Sequence, residues 1–197
     1  MVRYTEEFKT YYETEFTQHT EVLYKTQEAI FESFAGLIAD CVNAVKEGHK
    51  MLFFGNGGSA GDAQHIATEF VVRFKKDRRA IPAISLTTDT SALTAIGNDF
   101  GFDNLFSRQI EALCSRGDIA IGISTSGNSE NVIRGLKAAK EIGATTAALG
   151  GGDGGRMKDI VDHAIIVPST VTARIQEMHI LIGHMLCGAI ERELGFV

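Results

Sequence analysis

Five short runs of this 197-residue chain are apolar from end to end: MLFFG (51–55), AISL (83–86), IAIGIS (119–124), TAALG (146–150) and AIIVP (164–168). A strand wet on one face alternates polar with apolar residues, so runs without that alternation must be covered on both faces. Stretches with helical spacing lie between and after them, at roughly 60–74, 104–115, 129–142, 154–161 and 173–194. Buried strands alternating with helices predict an α/β fold, a doubly wound parallel sheet with right-handed crossovers.

Ahead of the first strand, residues 1–47 read as helix. Tyr4, Phe8, Tyr11 and Phe16 make one apolar stripe, and Ile30, Phe34, Leu37, Ile38, Cys41, Val42 and Val45 a stronger one, with Gly48 as the stop. The expected organisation is an N-terminal helical extension over 1–47, serving oligomerisation, and one sheet domain over 48–197. More apolar helix surface is present than one such domain needs, which predicts an interface between copies.

A formal charge of −6 argues against a nucleic-acid partner, which would need a basic surface. No apolar run approaches the roughly 18 residues that span a bilayer. The N-terminal stretch has no apolar signal core, so the expected location is the cytoplasm. Cys41, Cys114 and Cys187 are widely spaced with no CxxC, so neither a disulfide framework nor a zinc knuckle is expected.

Two strand-to-helix turns stand out, both at the sheet edge where doubly wound folds bind ligands. In STSGNSENV (124–132), the hydroxyls of Ser124, Thr125, Ser126 and Ser129 surround Gly127 at a helix start, with Ser129 as the expected cap. Small hydroxyls at a helix N-terminus suit a dianionic phosphate without a lysine. In GNGGSAGDA (55–63), Gly57 and Gly58 allow close approach to the backbone, and Ser59 is the expected cap. No Gly-Lys-Ser/Thr follows, and the glycines are out of dinucleotide register. Asp62, His65 and Glu69 then share one helical face, which Arg73 continues. His65 and Glu69, four apart, suit either a metal or proton transfer. The last helix, ARIQEMHILIGHMLCGAIERE, is apolar on several sides, which leaves Gln176, His179 and His184 as part-buried polar groups in need of partners.

The four motifs GNGGSAGDAQHIATEF, LTTDTSALTAIGNDFGF, GISTSGNSENVI and TARIQEMHILIGHMLC, in that order, resemble the sugar isomerase (SIS) family and, within it, the phosphoheptose isomerases. The resemblance covers nearly the whole chain. It implies a three-layer, flavodoxin-like fold with five parallel strands, in a homotetramer with active sites between subunits. The implied reaction is aldose–ketose isomerisation of D-sedoheptulose 7-phosphate to D-glycero-D-manno-heptose 7-phosphate, feeding ADP- or GDP-heptose for lipopolysaccharide or other surface glycans. Carried over by motif, Asn56, Gly57, Gly58, Ser59, Asn98 and Asp99 contact substrate, as do Glu69 and Gln176. Ser124, Thr125, Ser126 and Ser129 hold its phosphate. His65, Glu69, Gln176 and His184 bind one zinc per subunit, and Glu69 and His184 are the catalytic pair. Ala173 departs from the pattern where some members carry an acid. The competing reading is a non-catalytic SIS scaffold or sensor, since the DnaA initiator-associating protein resembles the chain in ARIQEMH. Retention of both Glu69 and His184 speaks for the enzyme.

Overall fold

The computed structural model describes residues 5–197; Tyr4, expected in the first stripe, lies outside them. The order is α1 (Glu6–Ala29), α2 (Phe31–Lys46), β1 (Met51–Gly55), α3 (Gly58–Val71), β2 (Ala83–Ser85), α4 (Thr90–Asp99), α5 (Ser107–Leu113), β3 (Ile119–Ile123), α6 (Glu130–Ile142), β4 (Thr145–Gly151), β5 (His163–Val167) and α7 (Thr172–Glu193). The strands form one parallel sheet in the order β2-β1-β3-β4-β5. The order reverses between β1 and β3, and the two unusual turns leave the sheet at the ends of those two strands.

Strand alternation divides the core in two. Met51, Phe53, Ile119, Ile121 and Ile123 face Leu37 and Cys41 of α2, Ile66 and Phe70 of α3, and Met178 and Ile182 of α7. Leu52, Phe54 and Ala120 face Phe106, at the cap of α5, Ile110 of α5, and Val132 and Leu136 of α6. The sheet is thus the middle of three layers, and the apolar runs of the sequence are its strands. Strands β1 and β3 are buried throughout, whereas the edge strand β2 leaves Ile84 exposed, because nothing among the described residues covers it there.

Two local expectations are corrected and a third is refined. The helix expected over 154–161 is only a short 3-10 turn, Gly155–Met157, because Gly154 and Gly155 both take positive φ and a right-handed helix cannot start through them. The helical extension expected over 1–47 is two helices, α1 and α2, that meet at Ile30. The helix expected to reach residue 74 ends at Val71, where the Arg78 guanidinium takes the carbonyls of Glu69 and Phe70, so Arg73 does not extend its face. One helix, α4, was not expected. Asp89 starts it by accepting the Ala92 amide, and none of its residues is buried within the chain.

Candidate active site

The loop after β1 turns through Gly57 at φ 57°, ψ −122°, a conformation reserved for glycine. Gly57, and not Ser59, holds the cap position of α3. Ser59 lies one turn position further in, buried, where its Cβ would sit 2.9 Å from a Cβ added at Gly55. Among the described residues no side chain caps α3; the Ser59 amide donates to the Asn56 carbonyl at 3.0 Å and the Ala60 amide to the Gly57 carbonyl at 3.1 Å, so the turn closes on its own backbone.

The loop after β3 behaves in the same way. Ser129 is at the expected cap of α6 but makes no cap bond. Its Oγ is 2.9 Å from Ser124 Oγ, which is 3.5 Å from Ser126 Oγ. Hydroxyls converge beside uncapped amides, and Thr125 and Ser126 line a cavity of about 850 Å³. Gly127, at φ 65°, lets the loop close on Gly154, whose carbonyl occupies the place a side chain would need.

A reciprocal amide pair joins the two loops. Asn56 Nδ2 donates to Asn131 Oδ1 at 2.8 Å, and Asn131 Nδ2 donates to Asn56 Oδ1 at 2.9 Å. Asn131 is buried, and it fixes the orientation of Asn56 at the switch point. Sequence reasoning missed it, because an asparagine in the first turn of a helix looks like any polar residue.

Helices α3 and α7 run side by side in the same direction. A Cβ at Gly58 would lie 2.5 Å from Gln176 Nε2, and a Cβ at Gly183 would lie 2.5 Å from Ile66 Cδ1. Gly183 therefore lets the helices meet closely, and that contact brings His184 to His65. Their Nε2 atoms are 3.4 Å apart, and His65 Nε2 is 3.2 Å from Glu69 Oε1. The three residues offer ligand atoms all within 4.8 Å of one another, His65 being exposed and the others half-buried. Phe74 stacks on the His184 ring with centroids 5.4 Å apart.

Gln176 is not in this cluster. It lies at Gly58, eight residues and about 12 Å of helix rise from His184. Asn98 and Asp99 sit exposed at the end of α4, with Asn98 Nδ2 bonded to Asp99 Oδ1 at 2.7 Å. Glu69 and His184, by contrast, meet within a single chain, so this pair needs no second subunit.

The sequence model described as the SIS domain matches residues 11–151. Phosphoheptose isomerase of Aquifex aeolicus is 63% identical over 157 residues, covering 80% of this chain and 81% of that protein. The Helicobacter pylori phosphoheptose isomerase is 51% identical over 181 residues, covering 92% and 94%.

The chain belongs to the phosphoheptose isomerase family.

Solved structures agree. The phosphoheptose isomerase of Neisseria gonorrhoeae superposes with a TM-score of 0.88 at 41% identity, over 93% of this chain and 98% of that one. The one from Francisella tularensis gives 0.90 at 34% identity, over 96% and 100%. As a member of the phosphoheptose isomerases the chain is an enzyme, and the scaffold alternative is not favoured.

Two further acid–base groups of this isomerase flank the cluster. Burial raises the carboxyl of Asp62, against the pull of His65, and its Oδ2 is buried with no hydrogen-bond partner among the described residues. His179 is fully buried and donates Nε2–H to the Gly150 carbonyl at 3.0 Å. Burial pushes it down to about 4, so it is neutral and supports the end of β4. Because this pKa is lowered on folding, its effect on stability is absent above the unfolded value near 6.5 and becomes a penalty as pH falls toward 4. His179→Gln, which keeps a donor for Gly150, is expected to flatten the decline of the unfolding midpoint between pH 6.5 and 4. An unchanged decline would show that this imidazole does not drive it.

Proposed function

We propose that the protein converts D-sedoheptulose 7-phosphate to D-glycero-D-manno-heptose 7-phosphate, the first step toward ADP- or GDP-heptose for lipopolysaccharide or other surface glycans. The observation that carries this reading is the meeting of Glu69, His65 and His184 on α3 and α7, where α3 is the helix that leaves the first ligand loop. Ser124, Thr125, Ser126 and Ser129 hold the phosphate with the first amides of α6. Asn56, Gly57, Gly58 and Ser59 take the sugar chain, with Gln176 across from Gly58. Glu69 removes a proton from C1 of the ketose, and the enediol receives it back at C2. His184 gives a proton to the carbonyl oxygen at C2 and recovers one from the hydroxyl at C1, so the reaction is redox-neutral within one molecule.

The metal that suits the cluster is zinc, one per subunit. Zinc bonded at 2.0–2.1 Å in a tetrahedron sets neighbouring donors about 3.3 Å apart; two of the three separations here are 3.4 and 3.2 Å, and all three lie within 4.8 Å. His65, Glu69 and His184 would hold it, and Gln176 would join only by leaning some distance along α7 or by entering from another subunit. Bound there, zinc supplies polarisation of the substrate oxygens. Stripping with a chelator and adding zinc back is expected to raise the unfolding midpoint by about 5–10 °C at saturation. The gain should vanish in His65→Ala. A midpoint indifferent to zinc would remove the metal from the scheme.

The assembly we infer is a homotetramer with active sites at subunit interfaces, in which the N-terminal helices of 1–47 take part. Phe8, Tyr11, Tyr12 and Phe16 on α1 are each at least half exposed, and no residue of α4 is fully buried, although Leu93 and Ile96 pack against the core. An approaching subunit would cover these faces and give Asn98 and Asp99 something to contact. No helix among the described residues is long and apolar enough to cross a membrane. The three cysteines are free, in keeping with a reducing compartment, the cytoplasm.

Incubation with sedoheptulose 7-phosphate, followed by NMR, tests the assignment. A new aldose of unchanged mass is expected, and an unaltered ketose would overturn it.

A further inference from the structure

The cavity beside the phosphate loop is lined not only by the sheet edge but by α1. Val22 and Lys25 form one wall, facing Thr125 and Ser126. Lys25 is the single cation of that lining, in a chain whose formal charge is −6. We propose that Lys25 supplies the positive charge that the hydroxyl cradle lacks, and binds the phosphate of the substrate from the α1 side. The inference rests on the phosphate reading of residues 124–129 given above and adds a specificity residue to it.

An exposed lysine on a helix is ordinarily a solvated charge. Three observations set this one apart. First, it is uncommitted: among the described residues Lys25 has no ion pair, and of the lysines without one, such as Lys46, Lys76 and Lys137, it is the one that lines this cavity. Two other basic groups near the loop are already held, Arg156 by Glu130 and the Asn128 carbonyl and Lys158 by the Asp153 carbonyl. Second, its position on α1 is fixed. Val22, one turn earlier on the same helical face, is buried, and so is the following Thr26, whose Oγ1 donates to the Val22 carbonyl at 2.7 Å. Third, α1 itself is tied to α7. The buried Arg174 guanidinium donates to the Glu15 carbonyl at 2.5 Å, to Glu15 Oε2 at 3.0 Å and to Glu177 Oε1 at 2.6 Å, and His19 Nδ1 is 2.8 Å from Glu177 Oε2. These contacts hold the helix against the start of α7, leaving Lys25 beside the cavity.

The chemistry fits a terminal phosphate better than a neutral sugar. A compact ammonium on a flexible stem serves a dianion as a point charge, where hydroxyls and amides provide the directional bonds. Such a group strengthens binding of substrate and transition state alike, since the phosphate takes no part in the proton transfers. Its removal should therefore appear in KM and not in kcat.

The test compares Lys25→Met, which keeps the apolar stem, and Lys25→Arg, which keeps the charge, in the full chain. Inorganic phosphate serves as a competitive inhibitor of sedoheptulose 7-phosphate turnover. Lys25→Met is expected to raise both KM and the phosphate inhibition constant about tenfold with kcat within about twofold, and the difference should shrink as ionic strength rises. Lys25→Arg should stay within about threefold of the wild type on both. Unchanged KM and phosphate inhibition in Lys25→Met would overturn the proposal while leaving the isomerase reading intact. A fall in kcat with phosphate inhibition unchanged would also overturn it, since that is the signature of a structural disturbance. Wild-type turnover that phosphate does not inhibit would instead bring down the phosphate reading, and the role of Lys25 with it.

Discussion

Glu69→Gln is expected to lower turnover of sedoheptulose 7-phosphate by about 100- to 10,000-fold, the range for loss of a positioned proton-transfer group. The substitution keeps size and shape. Glutamine can still face His65 from the same helical position, so the fold and the α3–α7 contact should survive. What it loses is the ability to take a proton from carbon and to carry a negative charge between two imidazoles. The reading is kcat at saturating substrate, with circular dichroism as the control for folding. Activity within about threefold of the wild type would remove Glu69 from the base role. The geometry also decides a mixing experiment. Glu69 and His184 come together in one chain, so mixed assemblies of Glu69→Gln and His184→Ala subunits are not expected to regain activity from this pair.

The second large effect is on stability. Glu191 of α7 is completely buried, and its carboxylate accepts Arg78 Nε at 2.7 Å and the amides of Phe74 and Lys75 at 3.1 and 3.4 Å. Arg78 in turn donates to the carbonyls of Glu69 and Phe70, both at 2.7 Å. One ion pair thus closes the last turn of α3, the loop behind it and the body of α7. Glu191→Ala strands a buried guanidinium and two amides, which should cost about 3–5 kcal/mol. For a chain of this size that lowers the midpoint by roughly 6–20 °C. Replacing both partners with leucine is expected to cost less than either single change, because no charge is left buried alone. Denaturant titration of the three variants distinguishes these outcomes, and a loss below about 1 kcal/mol in Glu191→Ala would deny the clamp its role.

The strands were legible because burial on both faces removes polar residues from them, and each lies within about two residues of its expected place. The hydroxyl cluster and the face carrying His65 and Glu69 were legible for a related reason: chemistry-bearing residues were grouped within one turn of chain. What could not be read depends on distance along the sequence. Arg78 ends α3 early because Glu191, 113 residues away, holds it in place. Asn131 gains its meaning from Asn56, 75 residues away. Helix α4 gave only a weak core stripe, since Leu93 and Ile96 are merely part-buried by this chain and no residue of it is fully covered. The 154–161 stretch has helical side-chain spacing but is not an α-helix, because Gly154 and Gly155 both take positive φ.

The amide pair at the switch point also bears on how long the enzyme lasts. Asn56 precedes Gly57, and asparagine before glycine is the sequence at which a backbone amide most readily attacks the side-chain carbonyl, because glycine offers no steric hindrance. The product is a succinimide, then an aspartate or isoaspartate in the middle of the ligand loop. Here both polar atoms of the Asn56 side chain are held by Asn131, and Gly57 is fixed at an unusual backbone angle. The carboxamide is therefore restrained from swinging onto the amide that would consume it, and the contact that joins the two loops also slows the chemical ageing of the residue between them.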